Sequence, residues 1–186
     1  MRIISGDFKG KKILLPVDKS TRPLRDLVKE SIFNLISHSK KFDCSLVNCN
    51  VLDLFSGIGS FGLECISRNS KKVIFFENYA EALKILKKNI QNLNIIHKTE
   101  IIENDCFEFF NTKNTFKEKF DIVFMDPPYK EKRINILIDT ILEKKILKKN
   151  GIIIIHRHKK DKTEITKKVK ILDTRNYGNS KVYFVS

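Results

Sequence analysis

Val51-Leu52-Asp53-Leu54-Phe55-Ser56-Gly57-Ile58-Gly59-Ser60-Phe61-Gly62 is an apolar strand that runs into three glycines and then into a helix reaching about Arg68. A strand, a glycine turn and a helix in this order open a βαβ unit, and the rest of the chain repeats the alternation. Lys72–Glu77 predicts a second strand and Ala80–Leu93 a helix with Leu83, Leu86 and Ile90 on one face. Glu100–Asn104 predicts a third strand, Asp121–Met125 a fourth, Arg133–Leu147 a helix and Gly151–His156 a fifth strand. Val169–Leu172 and Val182–Val185, joined through Asn176-Tyr177-Gly178-Asn179, close the chain as a hairpin. Near-continuous apolar strands fit a sheet covered on both faces. The expected fold is therefore α/β and Rossmann-like, a mostly parallel seven-stranded sheet with an antiparallel C-terminal edge. Before it, Arg2–Gly6 and Lys12–Leu15 predict a small N-terminal β-hairpin arm bent at Gly6 and Gly10. Pro16–Pro23 predicts an irregular connection, and Asp26–Ser37 has helical spacing of Leu27, Val28, Ile32, Leu35 and Ile36. We read residues 1–186 as a single domain, with a basic arm and helix over 1–41 and a Rossmann-like core over 42–186.

Gly57-x-Gly59-x-x-Gly62 taken alone is a dinucleotide fingerprint. Asp53 argues against that ligand. It sits at the strand end, with three residues between it and the first glycine, where an acid repels a pyrophosphate and attracts a cation such as the amino group of a methionine moiety. Glu77 ends the second strand, where it can accept from ribose hydroxyls. Asp105 ends the third, where it can accept from an adenine NH2. Each acid alone could be a helix cap. Together they line the strand ends where open α/β sheets bind ligands, and an acidic crevice in a basic protein suits a cationic, phosphate-free nucleoside. S-adenosylmethionine fits, with Asp53, Phe55, Gly57, Gly59, Glu77, Asp105 and Cys106 as its expected contacts.

Asp126-Pro127-Pro128-Tyr129 follows the buried run Phe120–Met125. Neither proline donates to a sheet ladder, so the chain leaves the sheet in a rigid, extended turn. That turn offers the Asp126 carboxylate, the Pro127 carbonyl and the Tyr129 ring at a strand's carboxyl end. A flat nucleobase can stack on the ring while its NH2 donates to the two oxygens. Asp126, Pro127, Pro128 and Tyr129 are the candidate catalytic residues.

Composition bounds the partners. With 186 residues and 41% apolar content the chain can bury a substantial core. No apolar run reaches the ~20 residues of a membrane span, and the N-terminus lacks the apolar stretch of a signal peptide, so we expect a cytoplasmic protein. Cys44, Cys49, Cys65 and Cys106 show no metal-ligand spacing and read as reduced packing residues; we expect no metal. The net charge of +14 points to a polyanion, although 29 of the 36 basic residues are lysine, and a lysine-rich composition alone could raise it. Placement says more. Residues 1–41 carry ten Lys/Arg against four acids, and 157–170 seven against two. Arg2, Lys9, Lys11, Lys12, Arg22, Lys29 and Arg157 are assigned to RNA phosphate, with solvated lysine faces as the competing reading. His156 and His158 fit either an RNA contact or a solvated strand end equally well.

Arg2-Ile3-Ile4-Ser5-Gly6 with Gly10-Lys11-Lys12, Thr21-Arg22-Pro23 leading to Val28–Asn34, the glycine loop with Glu64, and Asp126–Tyr129 occur in an order and spacing that resemble the RsmD family of small-subunit ribosomal RNA guanine-N2 methyltransferases. The resemblance covers nearly the whole chain, and the N-terminal motifs are its most specific part. It implies an S-adenosylmethionine-dependent methyltransferase fold and methylation of an exocyclic guanine amine in small-subunit rRNA or an assembling small subunit; separately, we expect a monomer. The family usually has a small hydroxyl residue at Ile58 and Arg at Leu27, and often Glu at His156; this chain departs there. Two other readings stay open: a DNA adenine or cytosine amino-methyltransferase, for which the chain has little room for a target-recognition insert, and an RNA-binding assembly factor without catalysis.

Overall fold

The computed structural model describes residues 1–16, 24–112 and 114–186. Thr21-Arg22-Pro23, and with it the expected RNA contact at Arg22, lies outside the described residues. The elements in chain order are α1 (Asp26–His38), β1 (Asn50–Leu54), α2 (Ser60–Ser67), β2 (Lys72–Phe76), α3 (Ala80–Leu93), β3 (Thr99–Ile102), α4 (Cys106–Asn111), β4 (Phe120–Met125), α5 (Ile134–Glu143), β5 (Leu147–His158), β6 (Ile171–Tyr177) and β7 (Ser180–Val185). The seven strands form one sheet in the order β3-β2-β1-β4-β5-β7-β6, parallel as far as β5 and antiparallel at β7 and β6.

Alternate residues of the central strands feed two cores. Val51, Val73, Phe75, Ile122, Phe124, Ile152 and Ile154 pack with residues of α1, α2 and α3. Leu52, Leu54, Ile74, Phe76, Val123, Met125, Ile153 and Ile155 pack with residues of α4 and α5. With helices on both faces, a buried strand has no polar side to show, which is why these strands read as unbroken apolar runs.

Several elements differ from the sequence reading: β5 begins at Leu147 instead of Gly151, β6 runs to Tyr177 instead of Leu172, and two helices change. The last helix ends at Glu143, not Leu147. Lys145 turns left-handed at φ 53°, and the Ile146 N–H reaches back to the Ile141 carbonyl. No glycine marks this stop, so the apolar spacing runs through it into β5. The short helix α4 was not expected. Asp105 caps it, accepting from the Phe107 and Glu108 amides at 2.7 and 3.2 Å, and it buries Cys106, Phe107 and Phe110. Six residues are too few for periodicity to reveal.

The arm is welded to the core. Its hairpin is one antiparallel bridge, Arg2 to Lys12, turned by Gly6 and Gly10 at φ 83° and 85°. Ile3 and Ile13 enter the same core as Val28 and Phe61. Glu64, fully buried on α2, accepts from the Ile4 and Ser5 amides at 2.8 and 2.9 Å and from Arg68 Nε at 3.0 Å. Lys29 lies 3.7 Å from Glu64 and donates to the Arg2 carbonyl at 3.1 Å. Lys29 is 0% exposed, so its assignment to RNA phosphate is corrected: its ammonium is a buried counter-ion between arm and core. Burial lowers its pKa, and Glu64 and Asp26 pull it back up.

Removing one partner of a buried ion pair leaves the other uncompensated. Glu64→Ala should therefore cost about 3–5 kcal/mol, read as a lower urea midpoint at unchanged slope. A loss under ~1 kcal/mol would mean that the arm is held by its apolar residues alone.

Candidate active site

One cavity of about 850 Å³ opens over the carboxyl ends of β1, β2, β4 and β5. Pairing of Leu54 with Phe76 and with Met125, and of Met125 with Ile155, brings these ends level. Asp53, Glu77, Asp105 and Asp126 thereby reach one space, together with Pro127, Pro128 and Tyr129. A volume of this size takes a nucleoside-sized ligand with room for a second ring.

The glycine loop makes one wall. Phe55, Gly57 and Gly59 are left-handed, at φ 64°, 55° and 84°, which turns the chain sharply out of β1. A Cβ on Gly57 would meet nothing within 4 Å, so this backbone borders open cavity. A Cβ on Gly62 would stand 2.3 Å from the Phe75 ring, so the third glycine serves the close packing of α2 on β2. Glu77 fixes the loop from the next strand. Its Oε2 accepts from the Gly57 amide at 2.6 Å, and its Oε1 from Asn78 and Tyr79 at 3.0 and 2.8 Å. Glu77 thus lines the cavity and also shapes it, a second role that the sequence did not show. Asp105 likewise faces the cavity while capping α4. Cys106 is buried at the cavity wall, and burial pushes its thiol up to about 12.

Asp53 is 1% exposed. Its Oδ2 accepts from the Gly62 amide at 3.1 Å, while Oδ1 has no hydrogen-bond partner. Burial drives its pKa well above the ordinary carboxylate range; the Gly62 amide opposes this, and the nearby charges of Asp126 and Glu77 add to it. A buried carboxylate with a bare oxygen, in a cavity lined by three more acids, is a site built for a cation. This matches a sulfonium nucleoside carrying an amino group and disfavours a pyrophosphate.

The Asp-Pro-Pro-Tyr turn is held from β5. Asp126 Oδ1 lies 2.6 Å from His156 Nδ1. Tyr129 is 56% exposed at the cavity, with His158 edge-on at 5.2 Å and the Lys132 ammonium 5.7 Å from its ring centre. Arg157 is corrected as an RNA contact. It is 5% exposed, donates to the Glu131 carbonyl at 2.7 Å and forms an ion pair with buried Asp161. In the run His156-Arg157-His158, Arg157 is buried, while His156 and His158 are half-buried and line the cavity. β5 continues through the run against β7, and all three side chains brace the turn. Only the strand register carries that information. Arg2, Lys9, Lys11 and Lys12 are exposed on the arm. Among the described residues no cluster of His, Cys, Asp and Glu could hold a metal ion, and no helix is long and apolar enough to cross a membrane.

A family model described as conserved hypothetical protein 95 matches residues 1–186. A Bacillus subtilis protein provisionally described as an rRNA methyltransferase is 35% identical over 154 residues, 83% of this chain and 80% of that protein. Ribosomal RNA small subunit methyltransferase D of Buchnera aphidicola subsp. Acyrthosiphon pisum is 34% identical over 165 residues, 89% of this chain and 82% of that protein. A solved structure from Haemophilus influenzae, provisionally described as a methylase, superposes with a TM-score of 0.77 at 31% identity, covering 99% of this chain and 96% of that one.

The raised carboxyl of Asp53 makes a stability test. Its pKa is higher in the folded protein than in the unfolded chain (about 3.9), so the folded state binds the proton more tightly. Its contribution to stability is full below about pH 3.9 and is lost as pH rises through the folded-state value. Asp53→Asn should thus leave Tm unchanged or raised at neutral pH, with its advantage over the parent vanishing toward pH 4. A Tm lowered at pH 7 by more than ~2–4 °C, the equivalent of about 1 kcal/mol, would mean that the carboxylate stabilises the ligand-free fold.

Proposed function

This chain belongs to the family described as conserved hypothetical protein 95, the RsmD family, and on that premise we propose that it methylates the exocyclic N2 amine of a guanine in small-subunit ribosomal RNA. S-adenosylmethionine is the methyl donor. The observation that carries the reading is the single cavity holding an acidic, cation-seeking wall at Asp53 and an Asp-Pro-Pro-Tyr turn beside it.

Asp53 Oδ1 would hold the amino group of the methionine moiety, and Glu77 and Asp105 the nucleoside, each with an acceptor left beyond its backbone contacts. When bound, the cofactor supplies a methyl group on a sulfonium, activated toward a nucleophile. The chain's own work is on the acceptor. An aromatic amine is a poor nucleophile because its lone pair is delocalised into the ring. Accepting its two N–H groups at Asp126 Oδ2 and the Pro127 carbonyl favours a tetrahedral nitrogen and localises the lone pair. The nitrogen then sheds one proton as it gains the methyl, and Asp126 Oδ2 would take it. Holding the amine in line can supply ~7–11 kcal/mol of the barrier. Stacking on Tyr129 adds about 1–3 kcal/mol to base binding. A target inside a helix must be flipped out or presented unpaired.

The substrate is small-subunit rRNA, alone or within an assembling particle. Transfer of labelled methyl to particles from a strain lacking the enzyme, followed by nucleotide mapping, tests the reading. N2-methylguanine at one position supports it; methylation of adenine, of cytosine or of DNA instead overturns it.

Asp126→Ala should reduce turnover by about 10²–10³-fold while the calorimetric cofactor affinity changes less than about threefold, because Asp126 serves the acceptor and not the donor. A parallel fall in cofactor affinity would place Asp126 in the donor site.

Because Glu64 and Lys29 tie the arm into the core, its RNA role is tested without deleting it. Replacing exposed Arg2, Lys9, Lys11 and Lys12 by Gln should weaken binding to ribosomal substrate. The slope of log affinity against log salt should flatten by ~0.7–0.9 per lost phosphate contact, with cofactor affinity held. An unchanged slope would reduce these residues to lysine-rich surface.

A further inference from the structure

His156 is a side chain that no step above uses, yet it makes the closest contact with the reacting carboxylate. Its Nδ1 lies 2.6 Å from Asp126 Oδ1. Parallel pairing of Met125 with Ile155 puts the next residue of each strand side by side, so the contact is built into the sheet. Antiparallel pairing of His156 with Val182 fixes its backbone from the other side. The ring is about four-fifths buried at the cavity wall, and Nε2 is buried with no hydrogen-bond partner.

We propose that His156 is a positioning residue for methyl transfer: its Nδ1–H holds Asp126 Oδ1 and so presents Oδ2 to the acceptor amine. The inference rests on the methyltransferase reading. An ionised carboxylate is an acceptor only, so a hydrogen bond at Nδ1 requires the proton to sit there. With Nε2 unpartnered, nothing on the other side of the ring competes for the tautomer. The geometric need is specific. The Pro127 carbonyl is fixed by the backbone, but the Asp126 carboxylate can turn about its terminal torsion, which is broad and roughly two-fold. Two acceptors serving the two N–H groups of one amine must keep a set spacing, and a misplacement of about 1 Å can cost 10²-fold in rate. His156 locks that torsion from the neighbouring strand. Asp126 has no other side-chain partner among the hydrogen bonds described, so the lock depends on this one donor.

The test compares His156→Leu, which removes the donor at similar bulk, with His156→Asn, which keeps an N–H donor near the Nδ1 position. Single-turnover methyl transfer to ribosomal particles and calorimetric cofactor affinity are measured on each. His156→Leu should slow transfer by about 10- to 100-fold with cofactor affinity within about threefold of the parent. His156→Asn should recover most of that rate. Parent-like transfer by the Leu variant, an Asn variant as slow as Leu, or a loss of cofactor affinity matching the loss of rate would each overturn the proposal. Should the Leu variant fail to fold, the imidazole 15N spectrum of the unaltered protein decides: His156 is expected as the Nδ1–H tautomer, and an Nε2–H tautomer refutes the donor. Failure of the methyltransferase reading itself would appear as no transfer by the unaltered protein, a different result from all of these.

Discussion

The site depends on the parallel register of β1, β2, β4 and β5. Leu54 pairs with Phe76 and with Met125, and Met125 with Ile155, so four strand ends finish level. Asp53, Glu77, Asp126 and His156 stand at or just beyond those ends, and Asp105 joins them from the N-terminus of α4. A shift of one residue in any pairing would turn the side chains of that strand to the opposite face. It would also exchange the apolar residues between the two cores, which is what fixes the register in the first place.

The acidic wall carries the electrostatic cost of that arrangement. Asp53, Glu77 and Asp126 converge with no basic partner at Asp53, and burial keeps the Asp53 carboxyl far from its ordinary behaviour. The Gly62 amide and, at Glu77, three more backbone N–H groups offset part of the cost. The remainder suits a ligand that brings positive charge. The left-handed residues Phe55, Gly57 and Gly59 belong to the same design, since they carry the backbone sharply out of the sheet and leave room beside it. The strain of Phe55 is localised at a functional wall, where such outliers tend to gather.

Charge counted along the chain did not equal charge available to a partner. Lys29 and Arg157 looked like members of a phosphate-binding set, yet both are buried counter-ions. Lys29 meets Glu64 between arm and core, and Arg157 meets Asp161 behind the Asp-Pro-Pro-Tyr turn. Arg2, Lys9, Lys11 and Lys12 remain exposed. The arm's apolar residues and backbone amides complete the core, while these four cations face outward.

The sequence by itself determined the α/β class, the seven strands and the antiparallel edge, because apolar runs and glycine turns are local signals with a fixed period. It also marked Asp53, Glu77 and Asp126 at or next to strand ends, whereas Asp105 lies beyond the end of β3 at Ile102 and caps α4. The stop of α5 and the existence of α4 escaped it, the first because Lys145 adopts a glycine-like conformation, the second because one turn and a half shows no period. The tertiary structure alone decided that His156 holds Asp126, that Glu77 holds the glycine loop and that Lys29 is buried. Each is a contact between residues at least twenty positions apart, set by strand register or by docking of the arm. No local pattern encodes such contacts, since they follow from which apolar faces pack together once the whole chain has folded.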